Sequence, residues 1–157
     1  MLKYVNYGVV IQEIPGETTL SINISGCPCK CHGCHSKYLW DDIGEQLDAY
    51  SLYDLLDKYG DNVTCVCFMG GDGDPELVST LASLIRYKKP KLKIGWYSGM
   101  ERISRRIYIR NFDYIKVGPY IKELGGLKSI TTNQRLYKID EYGQCIDITN
   151  KFWKDET

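Results

Sequence analysis

Four of the chain's seven cysteines lie between Cys27 and Cys34, and three of them form the array Cys27-x3-Cys31-x2-Cys34. Cysteine thiolates are the usual ligands of iron–sulfur clusters, and a cubane cluster contains four irons. Three closely spaced ligands leave one iron open, whereas electron-transfer clusters are normally closed by four thiolates. The spacing therefore predicts a [4Fe-4S] cluster with one iron available to a substrate or cofactor.

The remaining cysteines and both histidines are assigned less specific roles. Cys29 lies between the three ligands and is not counted as one, because its side chain can point away from the cluster. His32 and His35 lie in the same loop, where hydrogen bonding to the cluster sulfurs, partner contact and solvent exposure all stay open. Cys65 and Cys67 alternate with apolar residues, which indicates packing in a buried strand.

Segments with strand-like periodicity alternate with segments of helical periodicity. Strands are predicted at 18–25, 63–69, 92–97 and 112–117, helices at 52–59, 77–85 and 101–109, and short strands at 135–140 and 145–148. This alternation is typical of a parallel α/β sheet with right-handed crossovers. Because a complete eight-fold barrel needs about 250 residues, we expect one domain over 1–157, a partial, open (β/α) barrel with mainly parallel strands.

Four segments that could bind a ligand each follow a predicted strand. They are the cysteine loop, Gly70-Gly71-Asp72, Tyr97-Ser98-Gly99 and Val117-Gly118-Pro119. The carboxyl ends of parallel strands meet at one edge of a sheet, which is where such folds bind ligands. We therefore expect these four segments to converge on one site.

The cysteine array after a strand resembles the signature of the radical S-adenosylmethionine (SAM) superfamily, and Gly70-Gly71-Asp72 is similar to its Gly-Gly-Glu-type motif. Within the superfamily, the chain resembles the small activating enzymes of anaerobic ribonucleotide reductases over nearly its whole length. Further residues carry this likeness: Gly33, Trp40, Tyr97-Ser98-Gly99 and Thr132-Asn133-Gln134-Arg135. Asp72 stands where Glu is more usual, which gives that carboxylate a shorter reach.

The resemblance implies a radical SAM fold and an oxidoreductase that cleaves SAM reductively to install a glycyl radical on the reductase. It implies that Cys27, Cys31 and Cys34 hold the cluster and that Gly70, Gly71, Asp72 and Ser98 bind SAM. Asn133, Gln134 and Arg135 either shape the cofactor site, contact the partner or form an exposed loop. The implied partners are the anaerobic ribonucleotide reductase as protein substrate and an external one-electron donor such as a flavodoxin.

Two alternatives to the activase hypothesis remain at this point. One is a short radical SAM enzyme acting on a small molecule, as deazaguanine synthases do. The other is a non-catalytic zinc-binding interaction module with a histidine as fourth ligand. A formal net charge of zero argues against nucleic-acid binding. Without a membrane-length apolar run or a signal-peptide pattern, we expect a cytoplasmic protein with no membrane partner.

Overall fold

A computed structural model describes residues 1–153, which form one eight-stranded mixed sheet. The strands in chain order are β1 (Leu2–Val10), β2 (Thr19–Ile24), β3 (Glu45–Leu47), β4 (Cys65–Met69), β5 (Lys93–Tyr97), β6 (Tyr114–Val117), β7 (Arg135–Ile139) and β8 (Cys145–Asp147). Across the sheet they lie in the order β3-β1-β2-β4-β5-β6-β7-β8. The central strands β2, β4, β5 and β6 are parallel, and the pairings on either side of them are antiparallel.

The predicted partial, open (β/α) barrel of radical SAM type, with mainly parallel strands, is wrong. In the described residues 1–153 the chain has two short α-helices, α1 (Ala49–Tyr59) and α2 (Pro75–Lys88), and the sheet dominates. The helix predicted at 101–109 is absent, and turns followed by a 3-10 turn at Ile109–Asn111 connect β5 to β6. In a parallel barrel, a helix connects each strand to the next parallel strand. Here β7 instead returns antiparallel to β6.

Local sequence explains where the two helices begin. Asp48 caps α1, since its carboxylate accepts from the Ser51 N–H at 3.0 Å and the Ser51 hydroxyl accepts from the Asp48 N–H at 2.9 Å. Ser51 is the third residue of the helix. Asp74 caps α2, and Pro75 occupies its first position, where a missing N–H costs nothing.

The two faces of the sheet are covered differently. Both helices pack on one face, where leucines such as Leu52 and Leu56 are fully buried and each contributes roughly 1.5–3 kcal/mol. The opposite face is covered by the loop between β1 and β2, whose Ile14 side chain is also fully buried. Tyr97 anchors that loop by donating a hydrogen bond from its hydroxyl to the Glu13 carbonyl.

The register of the central strands sets the positions of the loops that follow them. Asn23, Met69, Tyr97 and Lys116 are paired in turn across β2, β4, β5 and β6. These residues lie at or one position from the ends of their strands, so the following loops leave the sheet side by side. The cysteine loop follows β2 at this same edge. The structure thus brings together the four segments expected to converge.

Candidate metal centre

The cysteine loop is tied at its base to the segment that follows it. The Gly26 N–H donates to the Asp41 carbonyl at 3.0 Å, and the Cys27 N–H donates to the Leu39 carbonyl at 2.9 Å. The 3-10 turn Lys37–Trp40 thereby closes a compact loop at the end of β2. These backbone bonds keep the loop over the sheet edge without using any thiol.

All four loop cysteines are free and partly exposed thiols. In residues 1–153 no three His, Cys, Asp or Glu side chains are gathered closely enough to hold a single metal ion. A cubane distributes its thiolate ligands over separate irons, so they lie further apart than the ligands of one zinc ion. A set of cysteine thiols in one loop is the usual donor set of an iron–sulfur cluster.

The thiols of Cys27 and Cys29 influence each other directly. A hydrogen bond from Cys29 is the main factor that lowers the pKa of Cys27 to about 6, against the opposing effect of burial. The same interaction, together with burial and the Asp72 charge, raises the pKa of Cys29. This shift favours the thiolate of Cys27, and thiolates are the form that binds iron.

Asp72 lies beneath the cysteine loop and is 8% exposed. Its carboxylate accepts a hydrogen bond from the Ser98 hydroxyl at 2.5 Å and another from the Gly99 N–H at 2.8 Å. The Cys29 thiol donates to the same carboxylate at 3.7 Å. Ser98 also accepts from the Met100 N–H at 3.1 Å and is buried, so it holds the Asp72 carboxylate from inside the protein.

Gly70 and Gly71 make the sharp turn that presents Asp72. Their φ angles of 110° and 97° are positive, and residues with a side chain rarely adopt such values. A Cβ on Gly71 would also lie 2.6 Å from the Val78 side chain, so the turn packs tightly on α2. The Trp96 indole holds the turn in place by donating to the Gly70 carbonyl at 2.8 Å.

Lys116 is a site residue that sequence reasoning missed. Its ammonium donates to the carbonyls of Ser98 and Gly118, both at 3.0 Å, and so bridges the ends of β5 and β6. Burial lowers the pKa of Lys116, and the negative charges of Asp72 and the loop cysteines oppose that shift. The signal in the sequence that could have identified Lys116 is its position as a charged residue among the apolar residues of a predicted strand.

A cavity of about 250 Å³ lies between the loop and the strand ends, with Cys27, Cys34, Asp72, Gly99 and Lys116 among its walls. It is polar on the Asp72 side and apolar where Ile24, Leu39 and Met69 line it. Thiols, a carboxylate and an ammonium group thus line the same cavity.

A second cavity of about 480 Å³ shares the walls Tyr97 and Lys116 with the first. Glu13, His35 and Phe152 also line it. The two cavities meet at the Lys116 side chain, so a molecule in the larger one would lie next to the cysteine site.

The other candidate residues lie outside the smaller cavity. Asn133 and Gln134 donate to the carbonyls of Pro119 and Gly118, which ties down the loop between β6 and β7. The ring of His35 packs near Tyr120 with centroids 5.6 Å apart, and His32 is exposed.

The three cysteines outside the loop lie in the strands β4 and β8. Cys65 and Cys67 are buried in β4, which confirms their prediction as core residues. Cys145 is exposed on β8, at the far side of the sheet from the loop.

Comparison with known proteins identifies the family. No curated protein and no solved structure gives a significant match. In residues 1–153, no helix is both long and apolar enough to cross a membrane. A family model described as "4Fe-4S single cluster domain" matches residues 14–136, a range that contains the cysteine loop, Asp72 and Lys116. The chain therefore belongs to the 4Fe-4S single cluster domain family and is an iron–sulfur protein.

Proposed function

We propose that this chain is a radical SAM enzyme that installs a glycyl radical on an anaerobic ribonucleotide reductase. The observation that carries the proposal is the position of Asp72, a buried carboxylate facing the loop of Cys27, Cys31 and Cys34. A closed electron-transfer cluster has no need of a buried carboxylate beside it. A cluster that binds the amino-acid part of SAM does need one, to attract its amino group and accept hydrogen bonds from it.

In this proposal Cys27, Cys31 and Cys34 hold three irons of a [4Fe-4S] cluster and leave the fourth for SAM. When bound, the cluster supplies the electron that cleaves SAM to methionine and a 5′-deoxyadenosyl radical, which takes a hydrogen atom from a glycine. The lowered pKa of Cys27 favours cluster assembly, since the ligand must be deprotonated to bind iron.

The residues at the strand ends orient the methionine part of SAM. Asp72 provides the negative charge for its ammonium, and the hydrogen bonds from Ser98 and Gly99 keep that carboxylate in one orientation. Gly70 lines the smaller cavity, and the positive φ angles of Gly70 and Gly71 form the turn that presents Asp72 to the ligand. Lys116 lies within the same electrostatic environment and balances the added negative charge of thiolates and carboxylate.

The larger cavity beside Lys116 suits the entry of a partner's loop. It opens next to the cysteine site and has a mixed apolar and charged lining that includes Phe152, Lys128 and Glu13. We propose that residues 1–157 act as one domain, that the reductase inserts its glycine loop here, and that an external one-electron donor such as a flavodoxin reduces the cluster. Free thiols throughout the chain agree with a reducing cytoplasmic setting.

The experiment is anaerobic reconstitution with iron and sulfide, followed by reduction in the presence of SAM. We expect a brown protein that releases methionine and 5′-deoxyadenosine, and a glycyl-radical electron paramagnetic resonance (EPR) signal when the reductase is added. Cys31→Ala should lose the cluster, whereas Cys145→Ala should keep it. SAM cleavage without a protein radical would favour a small-molecule substrate in the larger cavity. A colourless protein that binds zinc would refute the proposal entirely.

A further inference from the structure

The Cys29 thiol is partly buried and faces the carboxylate of Asp72. Its sulfur lies 3.7 Å from the Asp72 carboxylate, 43 residues away in the chain. It also interacts with the Cys27 thiol, whose pKa it lowers. The fourth cysteine of the loop is therefore a neighbour of both a proposed cluster ligand and the carboxylate proposed to receive SAM.

Gly99 provides the space that this orientation requires. A Cβ at position 99 would lie 2.7 Å from the Cys29 sulfur, closer than side-chain atoms approach each other. The glycine after Ser98 thus leaves room for the thiol as well as donating its N–H to Asp72. The backbone of Lys30 has a φ of 45°, which turns the chain between Cys29 and Cys31.

The contacts of Cys29 allow its thiol to be free as well as bound to metal. The Lys116 ammonium interacts with Cys27, Cys29, Cys31 and Asp72 together, so its positive charge offsets part of the negative charge of this group. When Cys29 is protonated, Asp72 accepts its hydrogen bond, so the sulfur has a partner when it is not a ligand. The site therefore accommodates Cys29 both as a ligand and as a free thiol.

We propose that Cys29 is a displaceable fourth ligand, which closes the cluster when SAM is absent and leaves the fourth iron when SAM binds. This inference rests on the proposed function, because SAM is the ligand that displaces the thiolate. In the exchange the bond from iron to the Cys29 sulfur breaks, and bonds from iron to the amine and carboxylate of SAM form. No electron is transferred, and the released thiolate takes up the proton that the SAM ammonium loses when its nitrogen binds iron. Closing the cluster protects its fourth iron from oxidative loss.

The test compares the wild-type protein with Cys29→Ala and, as a matched cysteine control, Cys145→Ala. Each reconstituted protein is oxidised with ferricyanide without SAM, and the EPR signal of a three-iron cluster is followed with time. An iron held only by sulfide is lost readily, so we expect faster conversion in Cys29→Ala than in the other two. If the closed form makes up about nine-tenths of the wild type, Cys29→Ala should also bind SAM about tenfold more tightly.

A second variant keeps the thiol but displaces it. Gly99→Ala should push the Cys29 sulfur away from the site, and we expect it to convert as quickly as Cys29→Ala. If Cys29→Ala holds no cluster, the oxidation rate of Gly99→Ala is the deciding measurement. Conversion of Gly99→Ala to the three-iron cluster at the wild-type rate would refute the proposal. Equal conversion rates and equal SAM affinities in wild type and Cys29→Ala would also refute it.

Failure of the proposed function gives a different pattern. A wild-type cluster that forms but neither binds nor cleaves SAM would refute the SAM chemistry, and it would refute displacement as well. The oxidation rates, measured without SAM, would then still show whether Cys29 is a permanent fourth ligand. Such a ligand would make this a closed electron-transfer centre.

Discussion

Replacing Asp72 with Asn separates the charge of this residue from its structural contacts. The amide has nearly the same shape, so its oxygen can still accept from the Gly99 N–H. Its NH₂ group then faces Ser98, whose hydroxyl must rotate to accept. The substitution exchanges hydrogen bonds to a charged group, worth about 1.5–3 kcal/mol each, for neutral ones worth about 0.5–1.5 kcal/mol.

From these contacts we expect Asp72→Asn to lower the free energy of unfolding by about 1–3 kcal/mol. For a chain of this size that corresponds to a fall in Tm of roughly 2–12 °C, measured by thermal unfolding of the apoprotein. The effect on SAM should be larger, because the ammonium loses a buried charged partner. Such a loss costs at least about 2 kcal/mol, or roughly a 30-fold weaker Kd, measured by equilibrium dialysis with the reconstituted protein.

Asp140→Asn is the matched control. Its carboxylate accepts from the N–H groups of Tyr142 and Gln144 at 2.9 and 2.8 Å, in the turn between β7 and β8. This variant should lose stability by a similar mechanism and bind SAM normally. If Asp72→Asn also binds SAM with the wild-type Kd, the carboxylate does not recognise the ammonium and our reasoning about the site is wrong.

Three further predictions concern the loop and the turn beside it. In the apoprotein at pH 6, Cys27 should be about half ionised and should react with iodoacetamide roughly tenfold faster than an ordinary cysteine, allowing for its lower intrinsic nucleophilicity. Its rate should rise with pH through a midpoint near 6, as read by peptide mapping. Trp96→Phe should lower the free energy of unfolding in urea by about 2–4 kcal/mol, because the Gly70 carbonyl loses its donor and the smaller ring leaves a void. Gly71→Ala should cost about 2–5 kcal/mol in the same assay, from its positive φ and the clash with α2.

The chain offers a control for each of these variants. Cys145, which is exposed on β8, should react slowly at pH 6, because the partial burial of its thiol and the negative charge of Asp140 raise its pKa. Trp153→Phe removes an indole bond of the same 2.8 Å length to the Leu127 carbonyl, outside the cysteine site, and should leave SAM binding unchanged. Gly16→Ala tests a positive φ without a clash, since nothing lies within 4 Å of the added Cβ, and should cost about 1–2 kcal/mol. Equal losses for Gly16→Ala and Gly71→Ala would contradict the packing argument.

Much of the strand framework could be predicted from local pattern. The four central strands, the hairpin of β7 and β8, and both helices lie within a few residues of their predicted places. Each has a clear period or an obvious end, such as the glycine turn after Met69. The fold class could not be predicted in the same way. Strand direction depends on the connections, and the absent helix at 101–109 and the antiparallel β1 were not evident from periodicity.

For the site, sequence alone determined the spacing of the cysteines and the glycine turn before Asp72, because both are features of contiguous residues. Only the tertiary structure decided that Cys29 points toward Asp72 and that Lys116 bridges two strand ends. Cys29 and Asp72 are 43 residues apart, so their contact depends on the pairing of β2 with β4. Local sequence specifies what a strand or loop carries, whereas register across the sheet decides which side chains meet.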